Sequence, residues 1–135
     1  MIKQVIVMRK DLNMRKGKMV AMGAHAYLKV FLDMTVIHLV TKEGKNLGHR
    51  GTFPIISQAM YDWIKGSFAK ICVSVDSEDE LMTIYNNAKE NEIICSLITD
   101  NGLTEFHGVP TITCAAIGPD ESEKIDKITG RLKLL

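Results

Sequence analysis

The sequence predicts an α/β protein with one domain of three layers, in which helices cover both faces of a four-stranded mixed, mostly parallel sheet. Strand-like and helix-like segments alternate along most of the chain, which is typical of sheets covered by helices. The 135 residues are 46% hydrophobic, which suits a single domain, residues 1–135, with a sizeable core. No apolar run reaches the length that spans a membrane.

The first two predicted elements are a strand and a long helix. Ile2–Met8 is apolar and rich in β-branched residues, which predicts a buried strand. From about Lys16 to Leu32, apolar and small residues recur at helical spacing, which predicts a helix packed closely on the sheet. Its two apolar rows are Met19, Gly23, Ala26, Val30 and Val20, Ala24, Tyr27, Phe31.

The segment after this helix is ambiguous. Val36–Val40 fits either a short strand or an extension of the helix. Lys42–Gly51 is polar and rich in glycine, which predicts a loop. Ser57 then begins a predicted short helix that ends near Gly66.

The alternation then resumes. Ala69–Val75 predicts the second strand, and Ser77 with Glu80 forms a capping box for a helix that ends near Glu90.

The third and fourth predicted strands are Ile93–Ile98 and Thr111–Ile117. No helix separates them, so they either pair antiparallel or lie apart in the sheet. A last helix is closed by Gly130, and the apolar tail Leu132–Leu135 is expected to pack back onto the domain.

Positive charge is concentrated near the amino end. The net charge is only +1, yet residues 1–18 contain six Lys or Arg and one acidic residue, Asp11. Lys16-Gly17-Lys18 opens the predicted long helix, where unpaired N–H groups and the helix dipole favour anions. This local basic patch predicts a specific anionic ligand, either a phosphate or a developing oxyanion.

The cysteines and histidines indicate neither a disulfide framework nor a metal site. Cys72, Cys95 and Cys114 each lie in an apolar run, which predicts buried free thiols in a reducing, cytoplasmic setting. No secretory signal is evident at the start of the chain. The four histidines lack the spacing of metal ligands, so no metal is expected.

Three separated motifs in this sequence resemble those of the archaeal and eukaryotic type of peptidyl-tRNA hydrolase. The first runs from Asp11-Leu12-Asn13-Met14-Arg15-Lys16-Gly17-Lys18 to Ala24-His25-Ala26. The second is the segment from Ser96 to Thr104, and the third runs from Gly118-Pro119 to Ile125–Leu134. The match spans nearly the whole chain except residues 34–56, which are predicted to be an insertion.

The resemblance implies a function, a fold and a partner. Such enzymes cleave the ester bond between a peptide and the terminal ribose of tRNA, releasing free tRNA. They have an α/β fold with a mixed sheet, need no metal, and commonly form dimers. We therefore expect a hydrolase with peptidyl-tRNA as substrate, no cofactor and a homodimeric assembly.

Two departures from the family pattern favour other hypotheses. Met22 stands where the family usually has Gln, and Leu103 where it usually has Arg. Loss of an amide and a guanidinium fits a catalytically impaired module that binds tRNA, a nucleotide or a protein. A hydrolase of another acyl ester, with a more apolar pocket, is the third hypothesis.

Ester hydrolysis requires an aligned water, a proton acceptor and positive charge near the carbonyl oxygen. We predict that Lys18 supplies the charge, that Asp100 positions or deprotonates the water, and that Thr104 aligns it. The alternatives are a solvated lysine at a helix start, a turn-forming Asp and a loop Thr.

Other residues are predicted around these three. Arg9, Lys10, Arg15 and Lys16 are the candidates for contacts with the tRNA backbone. The candidates for lining the site are Asp11, Met22, His25 and Leu103. His25 follows Lys18 along one helical stripe, and a structural role for this histidine is the alternative.

Overall fold

The computed structural model describes all 135 residues, which form six strands and four helices. The elements in chain order are β1 (Ile2–Arg9), α1 (Lys16–Met34), β2 (Val36–Lys42), β3 (Lys45–Thr52), α2 (Gln58–Lys65), β4 (Lys70–Val75), α3 (Glu78–Glu90), β5 (Cys95–Asp100), β6 (Thr111–Glu121) and α4 (Ser122–Thr129).

Four of the strands form one mixed sheet in the order β4-β1-β6-β5, which confirms the predicted α/β fold. The expected parallel majority of pairings is wrong. Only β1 and β4 pair in parallel, whereas β6 is antiparallel to both β1 and β5. The reason is the β5–β6 connection, which contains no helix and therefore returns the chain antiparallel to β5.

Helices cover both faces of this sheet, as the predicted three layers require. On one face, α1 and α2 bury a cluster of twelve residues that includes Met8, Met22 and Trp63. On the other, α3 and α4 bury a second cluster of twelve that includes Val7 and Leu81. The sheet is therefore mainly apolar on both sides, and Gln4 and Thr113 are buried polar residues within its central strands.

The buried stripe of α1 differs from the predicted apolar rows. It consists of Met22, Ala26, Val30 and Phe31, whereas Val20 is 73% exposed. Val20 lines an open groove of about 580 Å³ together with Met19, Gly23 and Leu135. This flank of α1 therefore remains open to solvent despite its apolar residues.

Residues 42–51 form part of a β-hairpin, so the predicted loop is wrong for this segment. Strands β2 and β3 pair antiparallel as a separate two-stranded sheet. Glu43 and Gly44 have φ of 52° and 76°, the left-handed conformation of a tight hairpin turn. Gly44 thus lies in the hairpin turn, and Gly48 lies at the strand bulge. The status of residues 34–56 as an insertion stays a prediction.

The C-terminal tail covers one edge of the main sheet, as expected. The N–H of Ser74 donates to Lys133 O (2.9 Å), and the N–H of Leu135 donates to Cys72 O (3.1 Å). The edge of β4 is therefore paired, whereas β5 has no neighbour on its outer side. All three cysteines are free, but the predicted burial holds only for Cys114, because Cys95 is half-buried and Cys72 is exposed. No helix is long and apolar enough to cross a membrane.

Candidate active site

An arginine–carboxylate fork fixes the loop between β1 and α1. Arg9 donates through Nε and Nη2 to the two carboxylate oxygens of Asp11 (3.1 and 2.6 Å). Its Nη1 donates to Ile112 O (2.9 Å) at the start of β6. The hydrogen bonds from Arg9 hold the pKa of Asp11 below its usual value, against the effect of burial. The loop that leads into α1 is thus tied to β6.

Lys18 lies in the first turn of α1 and points into a cluster of polar groups. Its Nζ is 3.0 Å from Oδ1 of Asp100 and donates to Oγ1 of Thr104 (2.7 Å). The Lys18 side chain is only 11% exposed, so it is not a solvated surface lysine. The ring centroid of Phe106 lies 5.6 Å from the same Nζ. The structure therefore brings Lys18, Asp100 and Thr104 together.

Asp100 ends β5 and is held by the turn that follows. The N–H of Gly102 donates to its Oδ2 (3.0 Å). Gly102 has φ of +81°, and a Cβ at this position would lie 2.3 Å from Val109 O. Only glycine fits this turn, and the turn aims the second carboxylate oxygen of Asp100 at a backbone donor.

The environment of Asp100 keeps it ionised. Burial is the largest single influence on its pKa and acts to raise it. The hydrogen bond from Lys18, the N–H of Gly102 and the charges of Lys18 and His25 outweigh burial, so the pKa lies below the usual 3.8. At neutral pH the centre is therefore a carboxylate paired with an ammonium group.

This arrangement leaves one donor of Lys18 uncommitted. An ammonium group has three N–H donors. Two of them face Asp100 and Thr104. The third is free to bind an oxygen of a ligand, and the first two partners fix its direction.

One depression adjoins this cluster, and a second lies nearby between α1 and β5. A polar one of about 430 Å³ is lined by Asn13, Arg15, Thr104, Glu105 and His107. A more apolar groove of about 360 Å³ runs between α1 and β5, and His25, Leu97 and Thr99 are among the residues that line it. One therefore opens beside Thr104, and the other opens beside the end of β5.

The four residues predicted to line the site lie in four different places. His25 is exposed and lines the apolar groove. Asp11 belongs to the fork with Arg9. Met22 is 2% exposed in the core, where Oγ1 of Thr113 donates to its sulfur (3.3 Å), so its side chain does not line the site. Leu103 is 78% exposed in the turn after β5.

The predicted tRNA contacts also divide into two groups. Lys10, Arg15 and Lys16 are exposed around the start of α1. The Arg9 side chain is only 11% exposed, and its donors are engaged by Asp11 and Ile112. Arg9 therefore braces the loop and is not free to bind a phosphate.

Two residues near the site are missing from the sequence predictions. Phe106 lies beside Lys18, and the carboxylate of Glu105 accepts from the N–H of Arg15 (3.3 Å). Glu105 thus caps the amino end of α1 from a distant loop. No local pattern identifies either contact, because each joins residues about 90 positions apart. No group of three or more His, Cys, Asp or Glu side chains is arranged to hold a metal ion.

Comparison with known proteins identifies the family. The family model described as peptidyl-tRNA hydrolase PTH2 matches residues 2–135. The chain belongs to the peptidyl-tRNA hydrolase PTH2 family. Three relatives named peptidyl-tRNA hydrolase come from Methanocaldococcus jannaschii, Methanothermobacter thermautotrophicus and Nanoarchaeum equitans. Over 134 residues they are 43%, 42% and 41% identical, respectively. The alignments cover 99% of this chain and 100%, 100% and 99% of the relatives.

Membership of the PTH2 family explains why three motifs of this sequence resemble those of peptidyl-tRNA hydrolases. The first motif contains Asp11 and Lys18, and the second contains Asp100 and Thr104. These two motifs meet in space at the Lys18–Asp100 pair of this PTH2 chain. The third motif forms the end of β6, α4 and the tail that covers β4.

The lowered pKa of Asp100 predicts how its contribution to stability depends on pH. A carboxylate whose folded pKa is depressed stabilises the protein above its unfolded pKa, and this contribution is lost as pH falls through the folded pKa. Asp100→Asn should therefore lower the free energy of unfolding by about 1–3 kcal/mol at pH 7. Urea unfolding of both proteins from pH 7 to pH 3 measures this difference. It should stay constant down to about pH 5 and shrink below about pH 4. A difference that grows on acidification would contradict the assignment.

Proposed function

We propose that this protein hydrolyses the ester bond between peptide and tRNA in peptidyl-tRNA, releasing free tRNA. The observation that carries the proposal is the convergence of Lys18, Asp100 and Thr104 in one hydrogen-bonded cluster at the start of a basic helix. Family membership and the names of the relatives support the same reaction.

Lys18 acts on the carbonyl oxygen of the ester. As water attacks, negative charge develops on this oxygen, and a fixed donor stabilises it more than mobile water does. The third N–H of Lys18 is the candidate donor, because the other two are held by Asp100 and Thr104. The low exposure of this ammonium strengthens the interaction.

Asp100 and Thr104 position Lys18 and the attacking water. Because the pKa of Asp100 is lowered, its carboxylate is a weak base, and orienting the reactants suits it better than taking a full proton. The oxygen of the water bonds to the carbonyl carbon, the bond from that carbon to the ribose oxygen breaks, and the ribose oxygen leaves with a proton from the water. No step in this scheme calls on a cofactor.

Lys10, Arg15 and Lys16 bind the tRNA backbone. They are exposed around the start of α1, and Arg15 also lines the polar depression beside Thr104. Contacts with phosphates carry no sequence information, which suits an enzyme that accepts many tRNAs. The homodimer and the cytoplasmic location stay predictions.

Replacing Lys18 tests the catalytic assignment. Lys18→Ala removes the donor for the carbonyl oxygen, so kcat for peptidyl-tRNA should fall on the order of a hundredfold or more. The measurement is release of labelled peptide under saturating substrate. Lys124→Ala, at a mostly exposed lysine of α4, is the matched control and should leave kcat unchanged.

Two outcomes count against this scheme. Unchanged turnover in a folded Lys18→Ala protein would remove Lys18 from the mechanism. Tight tRNA binding by the unaltered protein without any ester cleavage would favour the impaired binding module instead.

Salt dependence tests the proposed tRNA contacts. Each phosphate contact releases counterions, so binding weakens steeply as salt rises. Lys10→Ala, Arg15→Ala and Lys16→Ala should each reduce the slope of log affinity against log salt by about 0.7–0.9. Binding of uncharged tRNA at several salt concentrations measures these slopes, and Lys124→Ala again serves as control. Slopes identical to that of the unaltered protein would exclude these three residues as phosphate contacts.

A further inference from the structure

The outer edge of β5 is the one uncovered edge of the main sheet. In the strand order β4-β1-β6-β5, the tail covers β4 and nothing covers β5. Exposed strand edges usually carry Lys, Pro or inward-pointing charges that prevent pairing with another chain. Strand β5 reads Cys-Ser-Leu-Ile-Thr-Asp and has no such residue before Asp100 at its end. Its edge is therefore able to accept a further strand.

The register shows which backbone groups face this edge. The carbonyl of Ile94 accepts from the N–H of Gly118 (2.7 Å), so residue 94 faces β6. In an antiparallel pair, successive residues alternate between facing the partner and facing away. Ser96 and Ile98 therefore also face β6. The N–H and C=O groups of Cys95 and Leu97 point outward from the sheet.

A groove follows the same edge. It has a volume of about 360 Å³ and is lined on the α1 side by His25, Leu28, Lys29, Leu32 and Asp33. On the sheet side it is lined by Leu97, Ile98 and Thr99, directly before Asp100. His25 lies close enough to Asp100 to influence its pKa. Along β5 the groove therefore reaches Thr99, the residue before Asp100.

We infer that the free edge of β5 binds the peptide part of the substrate as an added strand. The inference rests on the proposed function, because it concerns the half of peptidyl-tRNA that the basic residues do not contact. Main-chain hydrogen bonds to an edge strand bind an extended peptide whatever its side chains. Recognition of this kind suits an enzyme that releases peptides of many sequences.

The direction and length of the added strand follow from the site. The peptide is joined to tRNA through its C-terminal carbonyl, so its C-terminal end lies at Asp100. The chain then runs back toward Cys95, which makes it parallel to β5. At about 3.3 Å per residue, the distance from Leu97 to Asp100 is about 10 Å. The edge therefore accommodates about three to five peptide residues.

A second copy of this chain is the competing occupant of the edge. Two β5 strands paired across a symmetry axis would satisfy the same backbone groups. The groove reaches Thr99, next to Asp100, and this favours the peptide, because a paired second copy would occupy the path that leads to the ester. The experiments below separate the two.

Substrates of graded length test the inference on the unaltered enzyme. One tRNA carries N-acetylated peptides of one to six residues, so that the tRNA contacts stay constant. We expect kcat/KM to rise about tenfold or more between one and four residues and then to level off. Single N-methyl groups are then placed at successive amides of the four-residue peptide. Because alternate residues of a strand face its neighbour, methylation should lower kcat/KM about two- to tenfold at alternate amides only.

A matched pair of variants tests the edge itself. Leu97→Pro removes an N–H that points outward and leaves the β5–β6 ladder intact, as proline at a strand edge does. Leu97→Ala loses the same packing but keeps the N–H. The ratio of kcat/KM for four-residue to one-residue substrates should fall about two- to tenfold further in Leu97→Pro than in Leu97→Ala. Thermal unfolding checks that both variants are folded.

The outcomes separate this inference from the proposed function. Failure to cleave a substrate of any of the six lengths contradicts the proposed function. Cleavage with no dependence on length, or with uniform effects of N-methylation, overturns the strand-addition inference alone. A dimer that Leu97→Pro converts to a monomer, together with a flat N-methyl scan, assigns the edge to a second copy and overturns it as well.

Discussion

The ion pair between Lys18 and Asp100 is the interaction on which the account of this site depends. The two side chains are 11% and 10% exposed, so both charges are largely removed from water. Burying a charge pair is favourable only where further hydrogen bonds satisfy the remaining donors and acceptors. Thr104 and the N–H of Gly102 supply these bonds. The pair thus joins the start of α1 to the end of β5.

The sheet explains why these two ends meet. Strands β4 and β1 are parallel, and β5 runs in the same direction as β1 because both are antiparallel to β6. The carboxyl ends of three of the four strands therefore lie at the same end of the sheet, where open α/β sheets commonly place ligands. The helix that follows β1 begins at this end of the sheet, and β5 ends there at Asp100. The prediction of mostly parallel pairing is right about the common direction of these three strands. It is wrong about their pairing, because β6 lies between β1 and β5.

How much of the structure the sequence predicts depends on the range of the interaction. Ser77 illustrates a local signal: its hydroxyl accepts from the N–H of Glu80 (3.0 Å), as the capping box predicts. The second bond of the box differs, because the Glu80 carboxylate accepts from the N–H of Asp76 (3.0 Å) and not from that of Ser77. The hairpin illustrates an ambiguous signal, since Gly44 and Gly48 indicate a turn whether or not the flanking residues pair as strands.

The candidate site shows the same limit. The motifs identify Lys18, Asp100 and Thr104, but the contacts that bring them together join residues more than 80 positions apart. Periodicity does not encode the engagement of Arg9 by Ile112, because that bond depends on the β1–β6 pairing. Met22 appears on the same helical stripe as Lys18, yet packing against Thr113 places its side chain in the core. A stripe on a helix shows only which side chains point the same way. The strands packed against the helix determine which of them are buried.

In the proposed scheme, the two halves of the substrate are assigned to two depressions near the pair. The polar depression lies on the side of Thr104 and Arg15, and the apolar groove lies on the side of Thr99 and His25. Lys18 contacts Thr104, which lines the polar depression, and Asp100, which follows Thr99 of the apolar groove. In this account the carboxylate contributes to catalysis chiefly through the ammonium group that it positions.

A double-mutant cycle on kcat tests this claim most directly. The four proteins are the unaltered enzyme, Lys18→Ala, Asp100→Asn and the double variant, assayed with an N-acetylated aminoacyl-tRNA at saturation. If Asp100 acts through Lys18, Asp100→Asn lowers kcat strongly in the unaltered enzyme and changes it little once Lys18 is absent. Equal losses from Asp100→Asn in both backgrounds would contradict the account.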